Sequence, residues 1–172
     1  MTTKINLGCG NNYLEGYVNV DFNSKYKTDI LADLEYKLPF EDNSVDEVYC
    51  SHVLEHLRNF LSVLKEIERI TKVGALVHIR VPHFSNGLGH GDLGHEKQFG
   101  WETFDFVLKG YYNLEYRFVI EEKKFNYLSV NHKIINAIVN PLINSLPKQF
   151  YERFLCWIIP VGEIELKLRR TE

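Results

Sequence analysis

The sequence predicts an α/β fold, with a mostly parallel sheet, helices on both of its faces and an antiparallel last strand. Strand and helix patterns alternate through the first two thirds of the chain, which is typical of parallel sheets. Glycines or polar residues follow each of four apolar strands, where a site would lie in such a sheet. Near the end, Ile164, Leu166 and Leu168 alternate with polar residues, which predicts a closing strand with one buried face.

The individual elements follow from local residue patterns. Short runs of β-branched and aromatic residues predict strands, whereas apolar residues at helical spacing from Leu57 predict a helix through Ile70. Gly74 stands where a glycine commonly ends a helix, and Pro82 ends the strand that follows. The predicted strands are Ile5–Leu7, Tyr17–Val20, Asp46–Cys50, Ala75–Val81 and Asn113–Ile120, and a second helix covers Thr103–Lys109.

Residues 1–172 are predicted to form one domain, with residues 121–162 as an apolar helical insertion between the last two strands. Ile134–Leu146 and Phe150–Ile159 are apolar around most of their circumference. Packing over the sheet edge is the simplest role for this insertion. A lid over an apolar substrate, and a partner or membrane-surface contact through residues 132–159, remain open.

Composition excludes some classes of function. The net charge of −3 gives no electrostatic footprint for nucleic acid, so no nucleic-acid partner is expected. The three cysteines, Cys9, Cys50 and Cys156, lack metal-type spacing and fit reduced thiols in a cytoplasmic protein. Apolar runs stay shorter than the roughly 20 residues that span a bilayer, so no transmembrane segment is expected.

The N-terminal glycines give the strongest functional signal. Ile5–Gly10 runs from an apolar strand into Gly8 and Gly10, and a second short strand leads to Asp21. Glycine lets a ligand approach the backbone closely, and a carboxylate can accept hydrogen bonds from both ribose hydroxyls. The dinucleotide pattern is absent, because Tyr13 stands at its third glycine and its acid belongs about 20 residues further on. A nucleoside-like ligand is therefore favoured over a nicotinamide or flavin.

Three further stretches continue this pattern, namely Asp29–Leu34, Leu38–Asp46 and Ser51–Leu57. In order and spacing, the chain resembles the class I S-adenosylmethionine-dependent methyltransferases, and most of all the small methyltransferase type 11 group. The match is good over residues 5–82 and weaker beyond them. The resemblance implies a Rossmann-like fold, S-adenosyl-L-methionine as cofactor and methyl transfer as the reaction.

The resemblance also assigns residues to the cofactor. The resemblance implies that Gly8, Cys9 and Gly10 line its amino-acid and ribose portion and that Asp21 binds the ribose hydroxyls. It implies that Asp33 faces the adenine amino group and that Leu34 packs on the adenine ring. It places Ser51 and His52 near the methionine part of the cofactor. The chain departs from the family in two places. Asn6 replaces an acid common before the first glycine, and the first crossover helix must shrink to about one turn.

Histidines collect in a glycine-rich stretch after Pro82. His83, His90, Asp92 and His95 lack regular helical spacing, so a mobile active-site loop is favoured over a metal site, and no metal ligand is assigned. His95 or His83 would orient the acceptor or take its proton as the catalytic histidine, and a structural role for both is an equal alternative.

The sequence thus predicts an enzyme that transfers a methyl group from S-adenosylmethionine to a small-molecule or glycan-linked acceptor. Because the methyl donor is already activated, such an enzyme needs no strong catalytic motif, and the acceptor stays unidentified. The alternative is a module that binds S-adenosylmethionine without turnover and acts through a partner.

Overall fold

In a computed structural model, which describes residues 2–128 and 132–172, the chain forms a seven-stranded sheet with helices around it. The strands are β1 (Lys4–Leu7), β2 (Val18–Asp21), β3 (Ile30–Leu31), β4 (Val45–Ser51), β5 (Thr71–Pro82), β6 (Phe118–Asn126) and β7 (Glu163–Arg170). The helices are α1 (Phe60–Ile70), α2 (Gly87–Gly91), α3 (Thr103–Leu108), α4 (Lys133–Ser145) and α5 (Lys148–Phe150), with a 3₁₀ turn at Leu54–His56 and a π-helical turn at Tyr151–Leu155.

The strand order is β3-β2-β1-β4-β5-β7-β6. Strands β1 to β5 pair in parallel, and β7 runs antiparallel to both β5 and β6. The predicted mostly parallel, Rossmann-like sheet with an antiparallel last strand is confirmed. The carboxyl ends of β1, β2, β3 and β4 lie side by side, which brings the predicted site residues to one edge of the sheet.

The first crossover is shorter than predicted, because turns rather than a helix join β1 to β2. Buried Asn6 and Asn19 hold these turns. The Asn6 amide donates to the Asn12 carbonyl at 2.8 Å and to Asn19 Oδ1 at 2.9 Å. Asn19 in turn accepts from the Leu14 amide and donates to the Leu14 carbonyl. Side-chain amides thus satisfy backbone groups that a helix would otherwise satisfy internally.

Helix coverage of the sheet is uneven. One face carries Val48, Val77 and Leu168, which are fully buried in one core with the apolar residues of α1 and α3. The opposite face presents half-buried polar side chains in register, including Tyr49, His78 and Lys167. All of residues 4–53 are described, and no helix forms among them, so little structure covers this polar face.

Two predicted boundaries are wrong. Gly74 does not end the helix. Thr71 follows α1 directly, its hydroxyl donates to the carbonyl of Ile67, and Gly74 lies inside β5 at φ +85°, where the register with β4 shifts. Strand β6 begins at Phe118, not at 113, and continues to Asn126. The segment between the last two strands therefore begins after residue 126.

Helix α4 lies along the edge strand β6 and contacts it through a ladder of asparagines. Asn144 accepts from the Phe125 amide at 2.9 Å and donates to the Phe125 carbonyl at 2.8 Å. Asn140 accepts from the Tyr127 amide at 2.8 Å. Asn136 makes the same paired contact with Leu128. Asparagine at every fourth position faces one side of a helix, so these amides occupy hydrogen-bonding groups that an edge strand leaves open.

Replacing Asn144 by alanine is expected to weaken the contact between α4 and the edge strand β6. The variant removes two hydrogen bonds to Phe125 and should lower the free energy of unfolding by about 1–3 kcal/mol. Amide hydrogen exchange should show faster exchange at Phe125. Ser145→Ala is the matched control, because its exposed hydroxyl bonds only within the helix and should leave that amide protected. Unchanged exchange at Phe125 in the Asn144 variant would argue against the ladder.

Because asparagines of α4 make these contacts with the edge strand, much of the insertion's apolar surface is exposed to solvent. Within it, Ile143, Tyr151 and Cys156 are buried. The exposed apolar surface of the insertion comprises the side chains of Ile134, Ile138, Leu142, Phe150, Phe154, Trp157 and Ile158. These side chains are not covered by packing over the sheet edge. Among the described residues, no helix combines the length and apolarity needed to cross a membrane.

Candidate functional site

The turn after β1 demands glycine at Gly8. Its φ is +62°, and a Cβ added there would lie 2.4 Å from Cγ2 of Val53, the residue after His52. Gly10 also has a positive φ of +48°, but no heavy atom among the described residues lies within 4 Å of where its Cβ would be. The backbone therefore approaches Val53 closely on one side and leaves open space on the other, as a cradle for a ligand requires.

Asp21, at the end of β2, contacts this glycine turn. Its Oδ2 accepts from the Gly10 amide at 2.8 Å, and its Oδ1 accepts from the Asn23 amide at 2.9 Å. The carboxylate is 5% exposed. Two oxygens offer about four acceptor positions, so the carboxylate retains capacity for ligand hydroxyls. Gly10 and Asp21, eleven residues apart, are in direct contact.

The other predicted cofactor residues lie at the same sheet edge in different environments. Asp33 is exposed and lies two residues after β3. The residue between them, Ala32, donates its backbone amide to the Asp21 carbonyl at 2.9 Å. Leu34 and Cys9 are buried. Burial, reinforced by the Asp21 and Asp29 charges, raises the pKa of the Cys9 thiol, which fits a small apolar packing residue.

Ser51 ends β4, and His52 follows it at φ +55°. The His52 ring lies between two buried carboxylates, with Nε2 3.0 Å from Glu163 and Nδ1 3.3 Å from Glu55. These contacts, first with Glu163 and then with Glu55, raise the pKa of His52 to about 9. The left-handed backbone directs this imidazolium towards the start of β7 and away from the core.

Sequence reasoning missed the polar cluster that His52 joins. Glu163 is 1% exposed and accepts from Arg80 at 2.6 Å and from the Asn126 amide at 2.8 Å. Arg80 lies near the end of β5, and Glu163 begins the neighbouring antiparallel strand β7. The available signal was an arginine inside the apolar run Ala75–Val81 and a glutamate opening the last strand.

His83 lies in the interior. Its ring is packed against Phe84 and Phe125, with Nδ1 2.8 Å from the Ser85 hydroxyl and Nε2 3.1 Å from Glu152. Both ring nitrogens are engaged and the residue is 1% exposed. The geometry favours the structural alternative for His83.

His95 lies beside the 3₁₀ turn after β4. The amides of Glu96 and Lys97 donate to the Glu55 carbonyl at 2.7 and 3.0 Å, which fixes the loop to that turn. The His95 and His56 rings meet edge to face at 4.7 Å, and His95 Nε2 lies 3.6 Å from Asp92. Of the two histidines proposed to act on the acceptor, His95 is thus the one in the loop held to the turn after β4.

Comparison with known proteins gives a domain match over part of the chain and similar folds over nearly all of it. Residues 13–79 match the family model described as a methyltransferase domain, and no curated protein sequence matches significantly. A SAM-dependent methyltransferase from Archaeoglobus fulgidus is similar in structure, with a TM-score of 0.65 and 20% identity over 98% of this chain and 86% of that one.

Two other solved structures are similarly close. A putative methyltransferase from Haloferax volcanii, solved in complex with the Trm112 methyltransferase activator, has a TM-score of 0.67 and 16% identity over 99% of this chain and 83% of that one. The [4+2]-cyclase SpnF has a TM-score of 0.63 and 14% identity over 99% of this chain and 75% of that one. At these identities the likeness concerns the fold. With the domain match over residues 13–79 and this fold together, the chain is similar to the class I S-adenosylmethionine-dependent methyltransferases.

Proposed function

We propose that this protein binds S-adenosyl-L-methionine at the carboxyl ends of β1 to β4 and transfers its methyl group to a small-molecule or glycan-linked acceptor. The observation that carries the proposal is the contact between the Gly10 amide and Asp21, beside a glycine turn with open space on its ligand side. Gly8, Cys9, Gly10, Asp21, Asp33, Leu34, Ser51 and His52 are the proposed cofactor residues. The buried, free cysteines fit a reducing compartment such as the cytoplasm.

When bound, the cofactor supplies an activated sulfonium methyl. The protein's task is to hold donor and acceptor in line and to exclude water. Asp21 would hold the ribose, and the Gly8–Gly10 backbone would hold the amino-acid portion. His95 is the proposed residue for orienting the acceptor, because it lies beside the turn that follows Ser51 and His52. His83 has no direct part in this proposal, since both its ring nitrogens are engaged.

Asp21→Ala is expected to weaken S-adenosylmethionine affinity by about 10²-fold, because it removes charge-assisted hydrogen bonds to the ribose hydroxyls. Isothermal titration with S-adenosylmethionine and S-adenosylhomocysteine measures this change. Asp21→Asn keeps an acceptor for the Gly10 amide and separates loss of the turn from loss of the charge. Glu41→Gln, at an exposed acid away from the strand ends, is the control and should bind like the wild type. Unchanged affinity in Asp21→Ala would remove the ribose assignment.

The second candidate is a module that binds the cofactor without turnover and acts through a partner. The exposed apolar surface on α4 and the turn after it favours this reading, since such patches mark interaction sites. One protein of similar fold is a putative methyltransferase in complex with an activator, and another is a [4+2]-cyclase. Titration with both sulfur nucleosides and NAD tests the common step. Failure of the folded protein to bind either sulfur nucleoside would overturn both candidates, whereas methyl transfer to any acceptor would exclude the module.

A further inference from the structure

We infer that Glu55, His56 and His95 form a binding site for a divalent transition-metal ion, with zinc as the best fit. One ligand atom from each residue lies within 4.8 Å of the other two. Glu55 and His56 come from the 3₁₀ turn after β4, and His95 comes from the loop after α2. Only the folded chain brings this set together, since 39 residues separate His56 from His95 (95 − 56 = 39).

Glu55 points to a ligand on independent grounds. Its side chain is fully buried, yet neither carboxylate oxygen has a hydrogen-bond partner among the described residues. One oxygen has an ion-pair partner, since His52 Nδ1 lies 3.3 Å from it. A buried carboxylate without hydrogen bonds is costly, and a bound cation beside it is one of the few arrangements that compensates this cost.

His56 is oriented as a ligand of such a site would be. His56 Nδ1 lies 3.0 Å from the Gly94 carbonyl, and because a carbonyl only accepts, Nδ1 donates and Nε2 keeps its lone pair. A backbone carbonyl on the second ring nitrogen is the usual support of a metal-bound histidine. His95 has the Asp92 carboxylate 3.6 Å from its Nε2, a second acidic group beside the cluster.

Ligand chemistry selects the ion. Imidazole nitrogen suits zinc and its neighbours, whereas magnesium and calcium prefer all-oxygen sites. Zinc holds nitrogen and carboxylate ligands at about 2.0–2.2 Å, so the three side chains would have to move closer together on binding. Three protein ligands leave at least one coordination position open, as in catalytic rather than structural sites. If the proposed function holds, such a site would lie near the cofactor's methionine end, because Glu55 contacts His52.

Titration of untagged wild-type protein with Zn²⁺ and Co²⁺, without S-adenosylmethionine, tests the site. We expect one ion per chain, visible d–d absorption for Co²⁺, and at least 10-fold weaker binding in Glu55→Gln and in His56→Asn. His56 is exposed, so that variant reports on binding even where Glu55→Gln is unstable. His90→Ala is the matched control, a nearby histidine in α2 outside the cluster, and should bind like the wild type.

Equal binding by the wild type and both cluster variants would overturn the site, as would the absence of stoichiometric binding by folded wild-type protein. A parallel titration with S-adenosylmethionine keeps the two proposals apart. Metal binding without cofactor binding would sustain the metal site and contradict the proposed function. Cofactor binding without metal binding would do the reverse.

Discussion

Gly8→Ala is expected to lower the free energy of unfolding by about 2–4 kcal/mol and to abolish measurable S-adenosylmethionine binding. Two costs combine. A left-handed backbone costs a residue with a Cβ roughly 1–2 kcal/mol, and overpacking costs roughly 1–3 kcal/mol. The structure gives Gly8 a φ of +62° and places its missing Cβ 2.4 Å from a buried Val53 methyl. Urea unfolding and isothermal titration measure the two effects.

Two further variants separate these costs. Gly10 also has a positive φ, but a Cβ at this position would meet no neighbour within 4 Å among the described residues. Gly10→Ala should therefore lower the free energy of unfolding by only about 1–2 kcal/mol. Val53→Ala in the Gly8→Ala background removes both clashing methyls, and the double mutant should show a favourable coupling of about 1–2 kcal/mol. Equal losses for Gly8→Ala and Gly10→Ala would contradict the steric argument.

Glu163→Ala is expected to lower the free energy of unfolding by about 3–5 kcal/mol at neutral pH. Truncation leaves Arg80 half-buried without its carboxylate partner and removes one of the two carboxylates that accept from the Asn126 amide, and breaking a buried pair from one side is strongly destabilising. Glu165→Ala is the control, because this neighbouring acid on β7 is only partly buried and should cost about 1 kcal/mol or less. Similar losses for the two variants in urea unfolding would show that burial of Glu163 matters little.

The contacts of Glu163 with His52 and Arg80 also predict that the stability of the protein depends on pH. Burial by itself raises the pKa of Glu163, but hydrogen bonds from His52 and Arg80 outweigh it and hold that pKa below its usual value. A carboxylate with a lowered folded pKa stabilises the protein above its unfolded pKa of about 4.3, and this contribution is lost as the pH falls through the folded value. The stability difference between wild type and Glu163→Ala should therefore shrink as the pH is lowered from about 5 towards 3. A constant difference would place its origin in packing rather than charge.

Local residue patterns predict most of the fold. The strands β1, β4, β5 and β7 and the helices α1 and α3 follow from apolar spacing, and their alternation predicts the parallel sheet. The ends of helices and strands were harder to predict where side-chain hydrogen bonds take the place of regular backbone structure. Gly74 looked like a helix end because a lone glycine after an apolar helix usually is one, but the strand β5 begins before it.

For the site, sequence could place residues only by their order along the chain. Gly8, Gly10 and Asp21 were predicted together because the ends of neighbouring parallel strands meet, and the Gly10–Asp21 contact agrees. His83 could not be separated from His95 by sequence, since both follow the same strand. Burial separates them, with His83 enclosed by aromatic rings and His95 beside the turn after β4.

The sequence by itself determined the order of strands and helices and the glycine turn, because these depend on residues close together in the chain. Only the tertiary structure decided what surrounds Glu55 and Glu163, because a side chain's charge environment is set by residues far apart in sequence. Glu163 meets His52 across 111 positions, and Glu55 lies beside His95 through a loop that no periodicity describes. The glycine turn could therefore be predicted from residue types, whereas the polar cluster beside it depended on the packing of β5, β7 and the loops at their ends.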